Sequence, residues 1–458
     1  MILVKDIGNA GTSVEAIRCT MEAVTFNAAR KCLPDRAIIR ACRESGYVCR
    51  RRLLTPVVTV LHMVFAAFWP EHSFAASWDV LWANAIGHLP KAAGKVLSSG
   101  TLSKARKRLT AEVWRGIFAW LADRGQELSK GVGGWRGHRI VLMDGTCVSM
   151  PDEQELRDTY GVNRCYHGEG RYPLARLVTL ALADTMVIVD WALEAYRSSE
   201  AKMALGLLGS LKPGDLLVGD RLFAGANYYV KYMQRGLEFV TQAHQMLKVE
   251  RIRRIICHSV DDFIGEVKIN KDYIEEGGPT SIRLRFIRAT LVIRGKRWHG
   301  WFVTSLLDAV AYPADELVGI YGRRWRIETL IRAVKLPMGC DVLRSQSAEG
   351  VVKEVAARLT ALNVVRIIMV EAVLETGQDP LRLSFSHAVR AIMSFSPALA
   401  SQPVWKLAEI YAAMLEQIAR HTVKLRPGRN EPRMIRRDKK HYPFLKTTRQ
   451  QWRDTFVA

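Results

Sequence analysis

The chain has 458 residues, which is enough for more than one domain and for a large hydrophobic core. Hydrophobic residues make up 49% of it and 12 residues are tryptophan, which excludes an intrinsically disordered protein. The 67 lysines and arginines outnumber the 45 aspartates and glutamates, and the formal net charge is +22. Such an excess predicts a polyanionic partner, and we expect nucleic acid rather than a membrane surface.

The eight cysteines are scattered as single thiols, and no two of them form a CxxC pair. The neighbours Cys257 and His258 lack the further ligands that a zinc site needs. Single thiols and the absence of a visible signal peptide predict a cytoplasmic protein. The apolar residues 53–69 approach the length of a membrane span, but Pro56 and His62 interrupt them, so we predict a buried helix and no membrane association.

Residues 1–130 are predicted to be helical. Apolar residues recur at steps of three and four through residues 101–121, which predicts one helix there. Its basic residues could contact DNA, or they could form an ordinary solvated face, and the sequence favours neither alternative. The candidates for DNA contact are Lys104, Arg106 and Lys107. The glycine-rich residues 131–134 then form a natural linker.

Beyond this linker the pattern is typical of an α/β domain. Short apolar runs predict strands that alternate with helices, which favours a partly parallel sheet. Residues 245–310 interrupt the alternation and are predicted to form a β insertion, and residues 350–420 are again predicted to be helical. From His421 onward, 11 lysines and arginines accompany only 3 acidic residues. The predicted strands are 140–143, 175–183, 186–196, 216–218 and 238–242, and the predicted helices are 201–211 and 226–235.

Residues 321–335 carry the most informative pattern. Read as one helix at ~3.6 residues per turn, they place four polar residues on one face, next to an apolar face. Pro313 is expected at the first position of this helix and Pro337 beyond its end. The polar face could bind phosphate groups and a metal ion, or it could be a surface ion pair on an amphipathic helix. Its members are Tyr321, Arg324, Glu328 and Lys335.

Two aspartates elsewhere could join Glu328. Asp144 and Asp220 each follow a predicted buried strand, and the equivalent ends of parallel strands meet at one edge of a sheet. Either aspartate could instead be a turn residue. Three converging carboxylates could hold two divalent ions ~3.5–4 Å apart, as in-line phosphodiester chemistry requires. Oxygen ligands favour Mg²⁺, for which Mn²⁺ can substitute.

The spacing Tyr-x2-Arg-x3-Glu-x6-Lys resembles the YREK signature of bacterial cut-and-paste transposases, the insertion-sequence-four family of DDE enzymes. Residues 143–152, 172–177 and 219–223 resemble further blocks of that family and occur in family order. The resemblance extends over residues 53–442. It departs from the family pattern at residues 241–245, where an expected basic pair is missing.

The resemblance implies a ribonuclease-H-like catalytic core with a β-strand insertion and with helical N-terminal and C-terminal regions. The implied segments are a DNA-binding region at 1–130, core residues 135–244, the insertion at 245–310, the signature helix at 311–350 and a helical region with a basic tail at 351–458. It assigns metal binding and catalysis to Asp144, Asp220 and Glu328. It assigns contacts with DNA phosphates at the transposon ends to Tyr321, Arg324 and Lys335.

A base near the cleaved end can flip out and stack in this family, and Trp298 and Trp301 are candidates for that contact. Simple packing within the insertion is the alternative for both. The implied activity is that of a DNA transposase with two Mg²⁺ ions per active site. It would bind terminal inverted repeats as a homodimer, cut the DNA at both ends, join the 3′-hydroxyls to target DNA and associate with the bacterial nucleoid. A ribonuclease-H-like nuclease without strand transfer and a transposase-derived DNA-binding repressor remain alternatives.

Overall fold

The structure is a computed structural model, and its chain divides into two compact units. One contains residues 1–132, 148–151 and 332–423, and the other contains residues 133–147, 152–331 and 424–458. Each unit is described by itself below. The residues that the structure describes are 21, 26–48, 54–71, 73–85, 98–165, 168–270, 274, 279–293, 296–374, 376–423, 447, 451, 454 and 455.

The described part of the first unit is helical, as predicted. The predicted buried helix over residues 53–69 is confirmed for Pro56–Ala66, of which residues 57–65 are all buried, whereas Leu53 lies outside the described residues. No helix in the described part of the chain is long and apolar enough to cross a membrane. The helices are α1 (Asn27–Arg30), α2 (Asp35–Glu44), α3 (Pro56–Ala66), α4 (Phe74–Ala85), α5 (Ser99–Arg108), α6 (Ala111–Ser129), α12 (Ala348–Glu371), α13 (Phe385–Ser401) and α14 (Leu407–Arg420).

The predicted single helix over residues 101–121 is wrong, because the structure has two helices there. Leu109 has extended backbone angles, with φ −72° and ψ 123°. Thr110 then caps α6 by accepting a hydrogen bond from the Val113 amide. A threonine that caps a new helix start stabilises a break that the apolar spacing alone does not show.

The second unit contains a ten-stranded sheet. Along the sheet the strands lie in the order β2-β3-β1-β5-β6-β10-β9-β8-β7, and β4 pairs with β3 off this path. The strands are β1 (Ile140–Ser149), β2 (Val162–Cys165), β3 (Gly168–Leu182), β4 (Ile188–Ala195), β5 (Leu216–Gly219), β6 (Glu238–Gln242), β7 (Arg253–Ser259), β8 (Asp262–Lys268), β9 (Ser281–Ile293) and β10 (Lys296–Thr304). The helices before residue 314 are α7 (Gln154–Tyr160), α8 (Glu200–Gly206) and α9 (Ala226–Gln234).

The predicted parallel part of the sheet is confirmed. β1 pairs with β5 and β5 pairs with β6, both in parallel, while the predicted strands 175–183 and 186–196 correspond to β3 and β4, which form an antiparallel hairpin. The strands of the insertion do not form a separate sheet. β10 pairs antiparallel with β6, so the insertion extends the same sheet. Phe263 and Phe286 of the insertion belong to the same buried cluster as Phe239 of β6.

The predicted single helix over residues 321–335 is also wrong in detail. Helix α10 (Ala314–Gly322) is followed by a 3-10 turn (Arg323–Trp325) and then by α11 (Arg326–Lys335). Pro313 occupies the capping position before α10 rather than its first position. A 3-10 turn has ~3.0 residues per turn instead of ~3.6, so residues on its two sides do not share one face as they would on a uniform helix. The backbone stays right-handed throughout the turn.

Candidate active site

Asp144 and Asp220 lie at equivalent places on two neighbouring strands. The parallel register of β1 and β5 ends with Leu142 opposite Val218, and each aspartate follows two residues later. Asp220 comes after β5, as predicted, whereas Asp144 lies inside β1, which continues to Ser149. The strand order therefore brings the two carboxylates to the same region of the sheet.

Both aspartates are fixed by local backbone contacts. The Gly145 amide donates to Asp144 Oδ1 at 2.8 Å, and the Leu222 amide donates to Asp220 Oδ1 at 2.8 Å. Asp220 thereby caps the 3-10 turn of residues 221–223. Each carboxylate keeps a second oxygen for another partner, which is the arrangement that a binding site needs.

Asp144 is in an unfavourable electrostatic environment for a carboxylate. The pKa of Asp144 is raised from 3.8 to about 6, chiefly by burial and to a smaller extent by the negative charges of Asp220 and Glu200. The Gly145 amide and the positive charge of Arg324 oppose this rise in the pKa. Two carboxylates and one guanidinium therefore lie within electrostatic range of Asp144.

Arg324 lies beside this acidic group. Its Nε atom is buried and has no hydrogen-bond partner among the described residues, and its guanidinium lies 4.3 Å from the centroid of the Trp325 ring. Tyr321 is buried, and its pKa is raised first by burial and then by Asp220, whereas Arg324 opposes the rise. A buried donor without a partner is costly, so Arg324 is suited to bind an incoming anion.

An aromatic cluster continues from Tyr321. Its ring centroid is 5.9 Å from that of Trp325, and the Trp325 centroid is 5.8 Å from that of Trp298. Trp298 is 46% exposed, so part of its indole ring is accessible to solvent next to Trp325. Trp301 instead packs edge-on against Phe263 at 5.6 Å, which supports the packing alternative for that residue.

Asp184 anchors the 3-10 turn that carries Arg324. It lies in the turn between β3 and β4, and its Oδ1 accepts hydrogen bonds from Arg323 at 3.0 Å and from Arg326 at 3.1 Å. Its Oδ2 accepts from the Gly134 amide at 2.9 Å. A Cβ on Gly133 would come within 2.4 Å of Asp184, so the linker glycine allows this close approach. The two residues that flank the Arg324–Trp325 pair are thus held by one carboxylate.

Glu328 and Lys335 are both on α11. Glu328 is half-buried in the first turn of the helix. Lys335 is its last residue and forms an ion pair with Asp341 at 3.3 Å in the helical unit. Glu328 is thus the third residue of α11, two residues after Arg326, which Asp184 holds.

The basic residues of α5 differ in their environments. Lys104 and Lys107 are exposed, whereas Arg106 lies over the Phe74 ring at 5.4 Å and lines a cavity of about 80 Å³ with Arg344 and Arg358. The two lysines are therefore more exposed than Arg106, and the DNA contacts predicted for all three residues stay predictions. The basic tail beyond Val423 is outside the described residues, apart from four isolated positions.

Sequence reasoning missed three residues of this region. None of Glu200, Asp184 and Trp325 was given a functional role from the sequence. Each gains its importance from partners that are distant in sequence, such as Arg323 for Asp184. Arg176 was noted only as part of a family block, and the structure pairs it with Glu200.

A family model described as the transposase DDE domain matches residues 135–364, which is half of the chain. The chain belongs to the DDE transposase family. Transposase InsG for insertion sequence element IS4, from Escherichia coli (strain K12), is 23% identical over 424 residues, which cover 90% of this chain and 92% of that protein. Putative transposase InsZ of the same strain is 28% identical over 143 residues, covering 31% of this chain and 48% of that protein. The prediction of a DDE insertion-sequence transposase is therefore confirmed, whereas the YREK signature stays a prediction. This DDE transposase acts on DNA.

A cryo-EM structure of a piggyBac transposase synaptic complex with hairpin DNA is also similar. It covers 90% of this chain and 79% of that chain with 10% sequence identity, and its TM-score is 0.38. A likeness at this level carries no argument about the present DDE transposase.

Membership of the family implies the use of a divalent metal ion. Asp144 and Asp220 supply the carboxylate oxygens that hard cations prefer, and a cation would neutralise the carboxylates that crowd Asp144. Across the part of the chain that the structure describes, no three His, Cys, Asp or Glu side chains are grouped as a complete metal site. The donors fit a divalent cation in kind, and the two aspartates are the residues around which such a site would form.

Proposed function

We propose that this DDE transposase binds the terminal inverted repeats of its element, cleaves DNA at the element ends and joins the resulting 3′-hydroxyls to target DNA. We further propose that Asp144, Asp220 and Glu328 hold two Mg²⁺ ions, for which Mn²⁺ can substitute. Two bound ions supply activation of the attacking oxygen and stabilisation of the leaving oxygen. We expect a homodimer in the complex with double-stranded DNA.

The observation that carries this proposal is the pairing of β1 with β5. The register places Asp144 and Asp220 two residues beyond its last pair, on neighbouring parallel strands. Neighbouring parallel strands of an α/β sheet present their carboxyl ends on one edge, where ligands bind. The order β4-β3-β1-β5-β6, with a helix before β5 and another before β6, supports the ribonuclease-H-like core. The insertion then continues that core sheet at β10.

The cation beside the two aspartates supports a role in binding a phosphate group. Arg324 has a buried Nε without a partner, and an arginine can grip a phosphate with two parallel hydrogen bonds. Tyr321 is buried and interacts with Arg324. We propose that Tyr321 and Lys335 also contact phosphates at the transposon end. Trp298 offers an exposed indole surface for a base near the cut.

Alanine substitutions test the proposed catalytic triad. Purified protein and its Asp144→Ala, Asp220→Ala and Glu328→Ala variants would be incubated with DNA that contains the element's end and with Mg²⁺. We expect each variant to lose cleavage and to retain end binding, because binding is spread over many cations. Asp215→Asn serves as the control, since it breaks an ion pair with Arg139 at the opposite end of β5. Normal cleavage by any triad variant would remove that residue from the proposed site.

A further inference from the structure

The carboxylate of Glu200 lies against the strand segment that carries Asp144. Glu200 is the first residue of α8, which Ser199 caps. A Cβ added to Gly145 would come 2.6 Å from Glu200 Cδ and 2.7 Å from its Oε2 atom. Any side chain at position 145 would therefore displace the carboxylate, and glycine permits this contact beside Asp144.

Arg176 of β3 fixes the orientation of Glu200. Its Nη1 donates a hydrogen bond to Glu200 Oε1, while its Nε donates to the Tyr196 carbonyl oxygen at 3.1 Å. The guanidinium also lies 5.6 Å from the centroid of the Tyr196 ring. Oε1 is thus committed to Arg176, whereas no hydrogen bond to Oε2 is present among the described residues, and Oε2 is the oxygen that faces Gly145.

The acidic side chains that act on Asp144 outnumber the basic ones. Asp220 and Glu200 are each within electrostatic range of Asp144, and Arg324 is the cation that opposes them there. Arg176 is already paired with Glu200. Like charges that are partly removed from water repel one another unless a cation joins them, so this group of acids is suited to a bound cation.

We propose that Glu200 is a further acidic residue of the divalent-ion site, offering Oε2 to the ion while Arg176 orients it through Oε1. The inference rests on the proposed function, because it takes Asp144 and Asp220 as ligands of the same ion site. The chemical class of the ligand is a hard divalent cation such as Mg²⁺ or Mn²⁺. Arg176 is then a positioning residue, since it acts through Glu200.

Binding of Mn²⁺ to the full-length protein without DNA tests this inference independently of activity. Free Mn²⁺ would be counted by electron paramagnetic resonance for the wild type and for Glu200→Gln, Asp144→Ala and Asp215→Asn. We expect Glu200→Gln to weaken Mn²⁺ binding roughly 10- to 100-fold, the range found when residues around a metal site are changed. Asp215→Asn should leave Mn²⁺ affinity unchanged, and thermal melting in EDTA shows that each variant is folded.

The outcomes separate the two proposals. If Asp144→Ala weakens Mn²⁺ binding but Glu200→Gln matches the wild type, the role of Glu200 is refuted while the ion site stands. If Asp144→Ala also binds Mn²⁺ like the wild type, both proposals fail. Should Glu200→Gln not fold, Gly145→Ala decides, because its Cβ displaces the Glu200 carboxylate without removing the charge. Unchanged Mn²⁺ affinity in Gly145→Ala would then refute the inference.

Discussion

Replacing Asp144 with asparagine is expected to stabilise the metal-free protein while it removes a proposed metal ligand. Burial and the neighbouring acids raise the pKa of Asp144 from 3.8 to about 6. A carboxyl whose pKa is higher in the folded state is destabilising above that pKa, where the folded protein must carry the charge. Asparagine has a similar shape, can still accept from the Gly145 amide and carries no charge.

The magnitude follows from the pKa. The rise from 3.8 to about 6 corresponds to about 3 kcal/mol at pH 7, at ~1.36 kcal/mol per pH unit. Asp144 is only half-buried, so solvent screens part of this energy and we expect roughly 1–2 kcal/mol. For a cooperative unit of about 150–250 residues, this raises the melting temperature by roughly 2–8 °C.

Thermal melting in EDTA at pH 7 and at pH 4.5 would measure the effect. The advantage of Asp144→Asn should be full at pH 7, fall to roughly a third at pH 4.5 and vanish only below pH 3.8, because the folded protein binds the proton below about pH 6 and the unfolded chain binds it below 3.8. Saturating Mn²⁺ should reverse the order, since the ion binds the wild type more tightly and therefore stabilises it more than the variant. A variant that melts at or below the wild-type temperature in EDTA at pH 7 would refute the electrostatic account of Asp144.

Three further predictions concern cleavage and DNA binding. Arg324→Ala should slow cleavage roughly 10- to 100-fold by removing a charge-assisted contact of ~1.5–3 kcal/mol, and Arg324→Lys should recover the cleavage rate only in part. Normal cleavage rates of Arg324→Ala in a gel assay would show that Arg324 is an ordinary surface residue. Asp184→Asn should slow cleavage about 10-fold or more at unchanged end binding, because the 3-10 turn loses its ion pair with Arg323. The matched variant Glu316→Gln weakens the ion pair with Arg136 and should not slow cleavage, so equal rates for the two variants would contradict the anchoring role of Asp184. Ending the chain after Val423 should reduce the salt dependence of end binding, since fewer phosphate contacts release fewer counterions. Fluorescence anisotropy measures this dependence, and an unchanged slope would show that the tail does not contact DNA.

Much of the sheet was predictable because its strands are short apolar runs between strong breakers. The strand of residues 238–242 matches β6, and the strand that begins at Leu216 follows Pro213 and Gly214 and ends at β5's Gly219. Asp220 was predicted at a strand end for the same reason, whereas Asp144 lies inside β1. Parallel pairing then follows from the alternation of strands with helices.

The errors have a common physical cause. Apolar spacing continues across residues 101–121, but the cap at Thr110 ends one helix and starts another. The spacing likewise continues across residues 321–335, where the backbone tightens into a 3-10 turn. Helix capping and contacts between distant residues, such as the ion pair of Arg323 with Asp184, determine where these helices break. Neither of them changes the periodicity of the sequence. The contact between Glu200 and Gly145 depends on tertiary structure alone.

Mapping of strand-transfer products tests the central claim most directly. Purified protein would be incubated with DNA bearing the element's terminal inverted repeats, with a target plasmid and with Mg²⁺, and the junctions would be sequenced. The account predicts that the 3′-ends of the element become joined to target DNA, and that Glu328→Ala forms no such junctions. End binding without cleavage, or cleavage without any joined product, would contradict it.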